Sequence, residues 1–93
     1  MTIERKRMPS PRTVAARIWE ADPSGLGCTR GYFAVNRKAR RMYFPVTLVR
    51  STAEYGRETI RRVLAGLGAT VVKTELRVLP STGEKTYHVE AAW

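Results

Sequence analysis

The spacing of apolar residues changes abruptly at Gly68. Before it, Ile60, Val63, Leu64 and Leu67 recur at i, i+3, i+4 and i+7, the stripe of a helix that buries one side. After it, Val72, Thr74, Leu76 and Val78 alternate with Lys73, Glu75 and Arg77, the period of a strand with one buried face. A helix that runs straight into such a strand has to pack on the strand's dry face. Ser51-Thr-Ala-Glu54 fits a capping box at the helix start, and Gly66 and Gly68 supply its stop. Pro80-Ser-Thr-Gly83-Glu84 then reads as a hairpin loop, with Tyr87, Val89, Ala91 and Trp93 on the returning strand.

Upstream, the stretch GYFAVNRKARRMYFPV (31–46) reads as a second hairpin, with strands over about 31–36 and 41–50. Phe33 and Val35 share a face with Met42, Phe44, Val46 and Leu48, which sets Phe33 opposite Phe44 and leaves Arg37-Lys38-Ala39-Arg40 as the loop. A two-residue Arg-Lys turn would need positive φ at both positions, where Asn-Gly is the usual choice. Tyr32 and Tyr43 then fall on the solvent-facing side. Pro45 donates no ladder hydrogen bond, so its strand is expected at an edge or with a bulge there.

Residues 13–21 read as a strand, with Val14, Ala16 and Ile18 on one side, followed by turn chemistry at Asp22-Pro-Ser-Gly25. Met8-Pro-Ser-Pro11 blocks regular structure, so residues 1–11 read as a flexible basic arm and 12–93 as a single domain. The expected fold class is α+β: an antiparallel β-sheet of β-β-β-α-β-β order packed against one helix.

Charge narrows the functional classes. The net charge is +9 in 93 residues, and residues 23–53 hold Arg30, Arg37, Lys38, Arg40, Arg41 and Arg50 with no acid at all. Residues 1–12 add a net +3, while 54–93 are nearly balanced at +1. A chain charged only for solubility mixes its signs evenly. The expectation is a single electropositive region at the hairpin tip and arm. Thirteen of the seventeen bases are arginine, the side chain with a planar fork suited to phosphate.

Other chemistries fail on inventory. One cysteine and one histidine, Cys28 and His88, do not make a zinc site, so no metal or cofactor is expected. Cys28 or Ser24 would be a nucleophile only if His88 and the sole aspartate, Asp22, converged on it. Glu54 and Glu58 stand in the first helical turns, where negative charge suits the helix dipole. No catalytic residue is assigned, and a non-enzymatic role is expected. A lone cysteine and the lack of a signal segment or spanning run point to a cytoplasmic setting without membrane contact.

The expected partner is nucleic acid, DNA or RNA. Arg37, Lys38, Arg40 and Arg41 would grip phosphates from the hairpin tip, Arg30 and Arg50 would widen the patch, and Arg5, Lys6 and Arg7 would form an auxiliary arm. Tyr32 and Tyr43 would stack on unpaired bases. The alternative is a protein-interaction module, such as a phage or mobile-element inhibitor or adaptor, whose hairpin docks on an acidic protein. Trp19 and Trp93 hint at a homodimer that covers aromatic surface. Three strands followed by a helix opening Thr52-Ala-Glu54, over residues 13–67, resemble the AP2-type and integrase arm-binding DNA domains. That resemblance implies a three-stranded sheet laid in the major groove.

Overall fold

The computed structural model describes residues 8–28 and 30–93, the side chain of Arg30 excepted. The elements are α1 (Pro11–Ala21), β1 (Leu26–Gly27), a 3-10 turn (Arg30–Tyr32), β2 (Ala34–Asn36), β3 (Arg41–Leu48), α2 (Ala53–Gly66), β4 (Thr70–Val78) and β5 (Lys85–Ala92). The fold is α+β, an antiparallel five-stranded sheet with two helices. From β1 onward the order is β-β-β-α-β-β, as the sequence pattern requires.

The main departure is residues 13–21, which form a helix and not a strand. Ser10, assigned by sequence to the arm, is the N-cap: its hydroxyl accepts from the Thr13 amide at 3.2 Å. Pro11 occupies the first helical turn, where its missing N–H costs nothing. Val14 and Ile18, four apart, are fully buried, whereas Ala16 is exposed. The spacing that suggested alternation is one helical turn. Met8 also packs against the core, so only residues 1–7 of the proposed arm lie outside the described residues.

The strands lie in the order β1-β3-β5-β4, with β2 also pairing β3. β1 and β2 sit end to end along one edge of β3, at Thr47–Leu48 and at Arg41–Tyr43. Pro45 falls in the gap between them, opposite His88 of β5, so its lack of a donor leaves no broken ladder bond. This arrangement contains no separate three-stranded sheet of the kind the DNA-domain resemblance implies. The β2–β3 register pairs Ala34 with Tyr43 and Asn36 with Arg41 around the 37–40 loop, and the Phe33 and Phe44 rings stack with centroids 4.5 Å apart.

One face of the sheet carries the core. Met42, Phe44, Val46 and Leu48 of β3 and Tyr87, Val89 and Ala91 of β5 are buried against Val14, Ile18, Ile60 and Leu64 of the helices. Full burial of such side chains is worth roughly 1.5–3 kcal/mol each. The Tyr87 hydroxyl donates to the Ala53 carbonyl at 2.9 Å, and the Trp93 indole N–H donates to the Leu67 carbonyl at 2.9 Å. These bonds tie β5 and the chain after it to both ends of α2. Trp93 is therefore covered by its own chain, while Trp19 on α1 stays exposed.

Helix α2 is capped by Thr52, one residue later than the capping-box pattern suggests; Thr52 accepts from the Tyr55 amide, and Glu54 lies in the first turn. Its C-terminus is a Schellman arrangement. The Ala69 N–H bonds the Leu64 carbonyl at 2.8 Å and the Gly68 N–H bonds the Ala65 carbonyl at 3.0 Å, with Gly68 at φ +81°. Gly66 is helical, and a Cβ there meets nothing within 4 Å. The two glycines should therefore respond oppositely to alanine. In urea unfolding, Gly68→Ala is expected to cost about 1–2 kcal/mol through left-handed strain, and Gly66→Ala to add about 0.5 kcal/mol. Equal effects would contradict this helix end.

Candidate functional site

The second face of the sheet has no helix over it among the described residues. Alternation puts Arg41, Tyr43, Pro45 and Thr47 of β3 on that face, with Thr86, His88 and Glu90 of β5 and Lys73, Glu75 and Arg77 of β4. Read across the strands, one row is Ala34, Tyr43, Glu90 and Lys73, and the next is Pro45, His88 and Glu75. A shallow cleft of about 330 Å³ lies on this surface, lined by Tyr32, Tyr43, Pro45, His88, Lys73 and Arg77 among others. The two tyrosines are 72% and 47% exposed. The structure thus brings Tyr32 and Tyr43 together on solvent-facing surface, as the hairpin register required.

The 37–40 loop at the end of this face is well ordered by its own bonds. The Asn36 side-chain carbonyl accepts from the Ala39 amide at 3.0 Å, and the Arg40 N–H bonds the Arg37 carbonyl at 3.3 Å. Arg40 takes the left-handed conformation, φ 55°, at the loop's end. That turn aims its guanidinium back at the fold, where Nε donates to the Trp93 carbonyl at 3.1 Å.

Arg41, next along, forms an ion pair with the mostly buried Glu90. The four tip cations are therefore not equivalent. Arg37 and Lys38 are exposed and make no ion pair among the described residues, whereas Arg40 and Arg41 are engaged by the protein itself.

The wider patch separates further. Arg50 is exposed but lies past the opposite end of β3, about 30 Å from the tip at strand spacing. The Arg30 side chain and Arg5, Lys6 and Arg7 lie outside the described residues. Arg12 and Arg17 stand on α1, and Arg57, Arg61 and Arg62 on α2, away from the cleft. A single electropositive region at the tip is therefore not what the described residues form. Positive charge is spread over both layers and is interleaved with acids on the open face.

Lys73 and Arg77 both approach Glu75, at 4.0 and 3.4 Å. Neither base was assigned to the site from sequence. The signal was present in the 72–78 alternation, but only the β4–β5–β3 order places that row beside Tyr43.

The remaining chemistry-bearing residues do not converge. Cys28 packs against the core, and burial pushes its thiol up to about 12. His88 points to the opposite face of the sheet. Glu58 donates no site either: a hydrogen bond from Arg61 at 2.6 Å, reinforced by the Arg61 charge, lowers its pKa. Among the described residues no three of His, Cys, Asp and Glu cluster as metal ligands. No helix among them is long and apolar enough to cross a membrane. Comparison with known protein families found no match, and comparison with characterised proteins found no similar sequence.

A thiol raised from 9.0 to about 12 has a thiolate fraction about a thousandfold below that of an ordinary cysteine near neutral pH. Iodoacetamide labelling of Cys28 at pH 8 should accordingly be slow in the folded chain and accelerate roughly a hundredfold or more in denaturant. Comparable rates in the two states would show that Cys28 is accessible and ionisable.

Proposed function

We propose that the open face of the sheet binds single-stranded nucleic acid, with bases stacked on Tyr32 and Tyr43 and phosphates held by Arg37 and Lys38. The observation that carries this reading is the meeting of two exposed tyrosines in one cleft, beside two exposed cations on an ordered loop. Base faces are available only in an unpaired strand, so stacking selects single strands over duplex. Each stacked base contributes roughly 1–3 kcal/mol.

The phosphate contribution is limited. Arg41 is neutralised by Glu90, and Lys73 and Arg77 share Glu75, so few cations remain to displace counterions. Arg30 adjoins Tyr32 in sequence, and Arg5, Lys6 and Arg7 supply further positive charge ahead of α1. Nothing on the face is arranged to read one base over another, so binding is sequence-tolerant. The role is non-enzymatic and sits in a cytoplasmic setting.

Fluorescence anisotropy with a labelled single-stranded oligonucleotide tests this at several salt concentrations. Tyr43→Ala should weaken binding by about 1–3 kcal/mol with the salt slope unchanged. Arg37→Ala with Lys38→Ala should lower the slope by about 0.7 per lost phosphate contact. Absence of binding to any oligonucleotide at low salt overturns the proposal. So does binding that ignores both changes. Co-purification of an acidic protein in place of nucleic acid would favour a protein-docking role for the same hairpin.

A further inference from the structure

Strand β4 is the outer strand beside β5, and its other edge pairs with nothing among the described residues. Its backbone alternation is fixed by one bond. The Leu79 N–H donates to the Glu84 carbonyl at 2.8 Å, one step beyond the Val78–Lys85 pair. Odd-numbered residues of this part of β4 therefore bond to β5, and Thr74, Leu76 and Val78 turn their N–H and C=O groups to the free edge. Such an edge is a ready template for another strand unless charge or shape forbids it.

Here the charges select a partner. Along the open face β4 reads Lys73, Glu75, Arg77. We propose that β4 pairs antiparallel with β4 of a second copy of this chain about a twofold axis at Thr74, joining the two sheets into one. In that register Lys73 faces the partner's Glu75 and Glu75 faces the partner's Lys73, two cross-strand pairs of opposite charge. An axis at Lys73 would oppose two lysines. One at Glu75 would oppose two glutamates and set Lys73 against the partner's Arg77. An axis at Leu76 avoids like charges but pairs only residues 74–78, whereas the Thr74 axis lays the strand along its full length. The bulge between Val71 and Lys73 loosens the ends of that pairing and leaves its centre regular.

The helix-side face supports the same geometry. Leu76 and Val78 lie on the core side of the sheet, opposite Tyr87 and Lys85, yet remain 40% and 52% exposed. Pairing about Thr74 sets Leu76 against the partner's Val72. It also brings Val78 to the partner's Thr70, where that chain leaves its own α2. The apolar surplus of one hairpin is thus covered by the helix layer of the other copy. The open faces join as well, extending one cleft surface into the next.

Sedimentation equilibrium of the full chain tests the proposal. The wild type should sediment at twice 10.5 kDa at sub-millimolar concentration. Thr74→Pro should sediment as a monomer with unchanged circular dichroism, because the lost N–H faces the free edge and serves no bond within the chain. Glu75→Lys alters both symmetry-related pairs and should raise the dimer dissociation constant about tenfold. Combining it with Lys73→Glu, which swaps the charges, should restore the constant, and this comparison decides the matter even if the proline variant fails to fold. The proposal is overturned by a wild type that stays monomeric to millimolar concentration. A dimer that ignores Glu75→Lys, or that the swap does not restore, overturns it equally.

Discussion

Both helices pack on the same side of the sheet, and the rest of the structure depends on that asymmetry. The stripe of α2 and the Val14–Ile18 turn of α1 bury one set of alternate residues from β3 and β5. Period-two geometry then dictates the other set: whatever follows each core residue faces outward. The open face is therefore written by the same alternation that writes the core. Its contents, two tyrosines, a proline, a histidine and interleaved charges, are the chemistry the fold leaves to solvent.

The core and the open face are joined at the hairpin end. Arg40 reaches back to the Trp93 carbonyl, and Trp93 in turn donates to the end of α2. Arg41 closes on Glu90 across β3 and β5. These contacts fix the tip rigidly at the cost of two of its four cations as ligand groups. Structure and binding compete for the same arginines, and the outcome is a small, ordered positive tip next to an aromatic cleft. A broad basic surface is absent from the described residues.

Much of this was legible in the sequence because β3 and β5 alternate cleanly and the 37–40 loop excludes a tighter turn. The Phe33–Phe44 register, the solvent side of Tyr32 and Tyr43 and the stop at Gly68 all follow from local rules. Residues 11–21 misled because Val14, Ala16 and Ile18 satisfy a two-residue period, although Ser10-Pro11 is a helix-start signal and Val14 and Ile18 are one turn apart. The fate of Arg41 was hidden for a different reason. Its partner Glu90 lies 49 residues away, and only the β3–β5 pairing brings them together. Long-range ion pairs depend on sheet order, which local patterns do not encode. The same holds for Lys73 and Arg77, whose placement beside the cleft needed β4 next to β5.

The central claim is that the helix-free face, and not the helices or the cations on them, is the surface that meets a ligand. Amide chemical-shift mapping during titration with a single-stranded oligonucleotide measures this directly, residue by residue. The account predicts shifts concentrated at 32–45, 73–77 and 86–90, with α1 and α2 undisturbed. Shifts centred on Arg12, Arg17, Arg57, Arg61 and Arg62, with the cleft silent, would contradict it.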